Sequence, residues 1–452
     1  MKKDKILLRV IIICFALFVI LYPIAVYSDI PFIKKWRDIY IETAMTTMNH
    51  QWLATTFIPK AVIDDVMSAN EANKIEQQNF KVVWENATLA KQEDNNSYSG
   101  NVQSDGIDTN SGDFKISGDT ELSNDTNLSS DTELEDVEEI DVEYVDKSSF
   151  ENTKSIFKFP EIEDEEDDFY FKFWELDTEE FRSFLSSNPE FLQNGYDNLL
   201  IENYDYKYDI KSMMGERIYL LDSKNNLIIF EVKGSTYVGK LATVKDPTQV
   251  RLAKSKTLGN YGTLLREFYT QENALLTINC SGFKDVDFKG NGGIVTGSFI
   301  LDGEEIGNPK DSYFIFGQKK NYAFFIEKLN ECDKTQYRWA AQFGPALVIN
   351  GEKKVKGTYG YGIQPRTAIG QTLNGEMLLL IIDGRQIGYS LGATVSDCAD
   401  ILLQHNAFQA INADGGSSSL MWYKGKNITQ PSSTNYLGRY LPNAIVVDYA
   451  KS

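Results

Sequence analysis

The chain has 452 residues, 42% of them hydrophobic, and a formal net charge of −20. That length allows two domains with linkers, and the apolar content is enough for a sizeable core. The charge is local, because residues 92–168 hold 25 acidic and 4 basic side chains and the remainder is close to neutral. This balance argues against a nucleic-acid partner, which needs a basic face for the phosphate backbone. With only His50 and His405 present, a Ser-His-Asp or Cys-His triad is not expected, and acid–base work falls to carboxylates. His405 follows an apolar helical stretch and is expected to pack or face solvent. Cys14 lies in an apolar N-terminal run. Cys280, Cys332 and Cys398 form an odd set without metal-like spacing, so neither a zinc site nor a disulfide framework is expected.

Ile6 to Tyr27 is almost unbrokenly apolar, with Lys2, Lys3 and Lys5 before it. About 20 such residues span a bilayer, and the lysines hold the N-terminal side in the cytoplasm. Residues 1–30 are therefore expected to be a signal anchor, with a cleaved signal peptide as the alternative. Either way the rest of the chain lies outside the cytoplasm. Residues 31–91 carry a helical pattern, with Ile41, Ala44, Met45 and Met48 on one face, expected beside the membrane. Residues 92–168 are too polar and too charged to offset their ordering entropy and are expected to be a disordered tether. Residues 169–236 form a small α/β region. It has a short helix at Asp177 to Leu185 and a hairpin of Arg217 to Asp222 with Asn226 to Val232. It can be an accessory domain, or strands added to the following sheet. Residues 237–452 are strand-rich, and the whole predicts a mixed α/β (α+β) fold, with a mixed β-sheet catalytic domain and flanking helices.

The most informative stretch runs from Glu376 to Met421. Met377 to Ile382 is a continuous apolar run suited to a strand buried on both faces. It ends in Asp383-Gly384-Arg385. Thr394 and Asp397 have the spacing of a capping box, and Val395, Cys398, Ala399, Leu402 and Leu403 form one helical face. A second strand, Phe408 to Ala413, ends in Asp414-Gly415-Gly416-Ser417-Ser418-Ser419. A crossover of this kind makes the two strands parallel and delivers Asp383 and Asp414 to one rim of the sheet, where ligands bind in α/β folds. The glycines permit close backbone approach, and the serines add donors for an anion. Arg366 and Arg439 offer guanidinium forks that match phosphate oxygens. A structural ion pair is an equal reading of Arg439.

Asn279, Gly282-Phe283, Phe343-Gly344-Pro345, Arg366-Thr367-Ala368-Ile369-Gly370, Asp383-Gly384-Arg385, Asn412-Ala413-Asp414-Gly415-Gly416 with Ser418, and Arg439 with Pro442-Asn443-Ala444 fall in the order of the phosphodiester glycosidase family. Residues 237–449 thus resemble that family, which is akin to the catalytic domain of N-acetylglucosamine-1-phosphodiester alpha-N-acetylglucosaminidase. Bacterial members are often described as exopolysaccharide biosynthesis proteins. The sequence departs from the common pattern at Ser417, where a third glycine is usual. The resemblance implies an extracytoplasmic hydrolase that cleaves a sugar-1-phosphodiester. It places Asp414 as nucleophile or water-activating carboxylate and Asp383 as orienter or second carboxylate. Arg366, Arg439, Asn279, Thr367, Arg385, Gly415, Gly416 and Ser418 are its candidate substrate contacts. No cofactor is required; a calcium or magnesium ion on Asp383 or Asp414 is compatible. The expected partners are a glycan or sugar-phosphodiester and the membrane. Two other readings remain open: a phosphosugar transferase of envelope polysaccharide assembly, and a non-catalytic glycan-binding protein.

Overall fold

A computed structural model of the chain describes residues 16–47, 51–69, 80–84, 155–157, 160–285, 290–433 and 435–451. The first half of the expected anchor and most of the acidic tether lie outside the described residues. Among those described, no single helix is long and apolar enough to cross a membrane. Helices Ala16–Tyr27 and Pro31–Thr46 meet at 83° and together have the length and composition of a broken span. Helices Pro31–Thr46, Gln51–Phe57 and Lys60–Ala69 gather Ile41, Ala44, Ala54, Ile58, Ile63 and Val66 into a small core of their own.

The tether's expected end at residue 168 falls inside a helix, Glu165–Lys172. The same acidic residues that suggest disorder favour a helix start. Asp164 caps the Asp167 N–H, and four carboxylates occupy the first turn, where the helix dipole favours negative charge. Helix Thr178–Ser187, capped by Asp177, follows. The hairpin forms as expected from Arg217–Asp222 and Leu227–Lys233. Its strands do not make a separate sheet. They lead through Val238–Val244 to Met377–Ile382 in one nine-stranded sheet, so 169–236 extends the catalytic sheet. The buried Lys245 ammonium fastens this extension, donating to both Glu175 oxygens at 2.7 Å and to Glu376 at 2.8 Å.

The strands of the larger sheets pair antiparallel throughout the described residues, which corrects the expected mixed sheet. Strand Arg366–Thr372 forms a hairpin with Met377–Ile382, and helix Val395–Gln404 then carries the chain over that hairpin to Ala407–Asn412. Arg366–Thr372 therefore lies between the two strands expected to run parallel. Both are antiparallel to it, so both still run in one direction and end at one rim. Every residue of Met377–Ile382 is fully buried. Leu379 and Ile381 face a core shared with the two five-stranded sheets, joined by Ile278, Phe299, Phe316 and Ile445. Leu378, Leu380 and Ile382 face Val395, Cys398 and Leu402 of the crossing helix. That helix opens with the expected capping box, Thr394 with Asp397. His405, just after it, is buried, with Nε2 2.7 Å from Glu216.

Candidate active site

The register sets the site. Arg366 pairs with Ile382, and Ala368 with Asn412, so the residues just beyond Ile382 and Asn412 flank the start of the middle strand. Beyond Asn412 the chain crosses toward the neighbouring sheet. The Ala413 N–H donates to the Thr367 carbonyl at 2.9 Å, and the Asp414 N–H to the Cys280 carbonyl at 3.0 Å. Gly415 passes so close to the Pro365 carbonyl that a Cβ would stand 2.7 Å from it. Gly416 is left-handed at φ +64. This turn requires both glycines.

The partly buried Asp414 is the focus of the rim. Burial pushes its carboxyl from 3.8 up to about 7, against the opposing pull of the Ser418 hydroxyl, the Arg439 charge, the Gly415 N–H and the Arg385 charge. Gly282 leaves space in front of it, since a Cβ there would lie 3.6 Å from Asp414 Oδ1 and 3.2 Å from the Phe343 ring. Tyr313 and Phe343, with ring centroids 5.4 Å apart, make an aromatic wall, and burial followed by the charges of Tyr361 and Asp414 raises the Tyr313 phenol. Arg385 sits at φ 60, uncommon for a residue with a side chain. Its guanidinium lies beside Gly416, with Nη2 3.3 Å from where a Cβ would be. Arg439 Nη1 donates to Ser417 Oγ at 3.2 Å, and Nη2 to Asp285 Oδ2 at 2.7 Å. The hydroxymethyl group at Ser417 thus turns toward Arg439 and does not obstruct the turn.

Asp383 occupies the same rim but is closed in. Tyr389 donates to Oδ2 at 2.8 Å and the Gln430 N–H to Oδ1 at 2.9 Å. Burial raises it to about 6, with Gln430, Tyr389 and the Lys240 charge opposing. This arrangement suits an orienting carboxylate that ties two loops. Among the described residues no group of three or more His, Cys, Asp or Glu side chains could hold a metal ion. The rim carboxylates are engaged singly, so they do not form a cation cage.

Three expected contacts have other employment. Arg366 is buried, donating from Nε to the Ala393 carbonyl at 3.0 Å and from Nη2 to those of Tyr361 at 3.1 Å and Gly362 at 2.8 Å. Side chains alternate across a strand. With Thr367 facing the second sheet, Arg366 points to the helix-covered side and clamps a loop. Burial lowers its pKa to about 10. Asn279 is fully buried. Its Nδ2 donates to the Asp414 carbonyl at 2.6 Å, while Oδ1 accepts from Thr367 Oγ1 at 2.9 Å and from the Leu420 N–H at 3.3 Å. Asn279 and Thr367 therefore brace Asp414 from behind. Sequence reasoning passed over Gln364, whose Oε1 accepts from Arg385 Nε at 3.1 Å and Nη2 at 2.8 Å. Its position two residues before Arg366 was the available signal. Tyr313 and Tyr389 had none.

The phosphodiester glycosidase family model matches residues 272–448. No curated protein matches the chain. The solved structures that resemble it include the zebrafish N-acetylglucosamine-1-phosphodiester alpha-N-acetylglucosaminidase catalytic domain auto-inhibited by its pro-peptide, at 21% identity over 50% of this chain and 83% of that one (TM-score 0.41). A hypothetical protein from Synechocystis is 14% identical over 52% and 64% (TM-score 0.42). A protein from Burkholderia pseudomallei is 14% identical over 47% and 74% (TM-score 0.34). The matched segment contains Asn279, Thr367, Asp383, Arg385, Asp414, Ser418 and Arg439. By that match, residues 272–448 are similar to the phosphodiester glycosidase family, a family of glycosidase-type hydrolases.

Proposed function

We propose that this domain hydrolyses the bond between a sugar's anomeric carbon and a phosphodiester oxygen, with Asp414 as the base that activates water. The observation that carries the reading is a partly exposed carboxyl at the rim, its pKa raised by burial to about 7, with Arg385 and Arg439 flanking it. A base with its pKa near the working pH is best placed to take a proton. Water attacks the anomeric carbon as the C–O bond to phosphate breaks. The proton passes to Asp414, and the electron pair leaves with the phosphomonoester. Arg385 and Arg439 balance the charge of that leaving group, so no separate acid is needed. The Tyr313–Phe343 wall, its rings inclined at 34°, offers aromatic surface to a sugar ring. The test is release of free sugar from an N-acetylglucosamine-1-phosphodiester by the purified protein, and its loss in Asp414→Asn. A transferred sugar in place of a free one would assign a transferase, and no product at all would leave a binding protein.

The setting we propose is the outer side of a bacterial membrane, with Ile6 to Tyr27 as anchor and residues 92–154 as tether, in envelope or exopolysaccharide metabolism. Supporting this are exposed apolar side chains on the N-terminal helices, among them Phe18 at 58%, Phe32 at 72%, Trp36 at 43% and Trp52 at 55%. Tryptophan and tyrosine favour membrane interfaces. Protease added to protoplasts should remove the domain; full protection would place it in the cytoplasm.

A further inference from the structure

The helix Pro31–Thr46 ends directly on the loop that leads into the site. Thr43 Oγ1 accepts from the Ile363 N–H at 2.9 Å, and Thr46 Oγ1 donates to the Tyr361 carbonyl at 3.3 Å. Gly362 is left-handed at φ +58, and a Cβ there would stand 2.4 Å from Thr43 Oγ1. Between helix and site stands Gln364, which is 6% exposed. Its Nε2 donates to the Thr43 carbonyl and to Thr46 Oγ1, both at 3.2 Å. Its Oε1 accepts from Arg385, whose charge acts on Asp414.

An amide has one accepting and one donating end. The helix takes the donating end, and this fixes the oxygen toward the guanidinium. Turned over, Gln364 would present N–H groups to N–H groups. We infer that Gln364 is a positioning residue, oriented by Thr43 and Thr46, which holds Arg385 where it meets the substrate phosphate. The N-terminal helices thereby complete the site. This rests on the proposed role of Arg385.

The test uses full-length protein in detergent with an N-acetylglucosamine-1-phosphate ester of a simple alcohol. Gln364→Met keeps length and removes the amide. Its KM should rise about tenfold, the loss expected for a hydrogen bond to a charged group, with kcat little changed. Thr46→Val, which removes the one side-chain group that holds the Gln364 amide while the Thr43 carbonyl stays, should raise KM in the same direction by less, and should add nothing in the Gln364→Met background, because one chain of contacts is cut once. Additive effects, or an unchanged KM in folded variants, would overturn the inference. If Gln364→Met fails to fold, Thr46→Val carries the test alone. Asp414→Asn and Arg385→Lys are run alongside. If those two behave like the wild type, the hydrolase reading itself fails. If they lose activity while the Gln364 and threonine variants do not, only the positioning role fails.

Discussion

Replacing Asp414 with asparagine separates chemistry from stability and tests both. The side chain keeps its shape and loses its charge, so turnover should fall about 10²–10⁴-fold, the usual worth of a positioned base. The same change should stabilise the domain. The folded-state pKa of about 7 lies above the ordinary 3.8, so between those values the folded domain keeps a proton that the unfolded chain has lost. The contribution of this group to stability is therefore fully present below pH 4 and is lost as the pH rises through 7. Each tenfold change in acidity is worth about 1.4 kcal/mol, so the full cost is at most about 4 kcal/mol. The partial exposure of Asp414 lets solvent screen the charge and brings the expected gain to about 2 kcal/mol. That corresponds to a melting temperature higher by about 4–8 °C above pH 7, converging with the wild type near pH 4. Melting curves and initial rates of both proteins across pH 4 to 8.5 provide the check. A melting difference that does not change with pH would refute the origin of the shift. Turnover within tenfold of wild type would pass the role to Asp383.

Arg366→Met removes the donor to the Gly362 carbonyl, at about 1–3 kcal/mol for a group left buried, while the Ala393 and Tyr361 carbonyls keep the Gln364 N–H and Thr46 Oγ1. The melting temperature should fall while KM of the remaining folded enzyme holds; a KM rise with normal melting would return Arg366 to the phosphate. Arg385→Lys keeps the charge but not the fork, so KM should rise about tenfold with little change in melting, read from initial rates. Lys245→Met strands Glu175 and Glu376 in the interior and should cost about 3–5 kcal/mol in denaturant unfolding, whereas an unchanged midpoint would detach the 160–236 region from domain stability. Deleting residues 101–145 should leave melting and turnover as they are, because so polar a segment cannot pack; a large loss of either would show that it does.

What could be read from sequence rested on local patterns. The buried strand Met377–Ile382, the Thr394–Asp397 cap, the hairpin at Ser223-Lys224-Asn225 and the two Asp-Gly turns at one rim are each written within a few consecutive residues. Periodicity, capping and turn chemistry act over that range. Asp383 and Asp414 reached the same rim even though a third strand came between theirs, because strand direction, not adjacency, decides where a strand ends.

The role of each arginine was beyond such patterns. Arg366 and Arg385 read alike in sequence, each beside a motif and each able to bind phosphate. The side of the sheet on which Arg366 falls depends on register, a property of paired strands, and its carbonyl partners belong to loops that only the folded chain assembles. Asn279 lies 135 residues from the Asp414 carbonyl it holds, and Thr43 lies 321 residues from Gln364. Contacts so distant leave no local signature: one hydrogen bond of about 1 kcal/mol selects a side-chain orientation only after the core has brought its partners together.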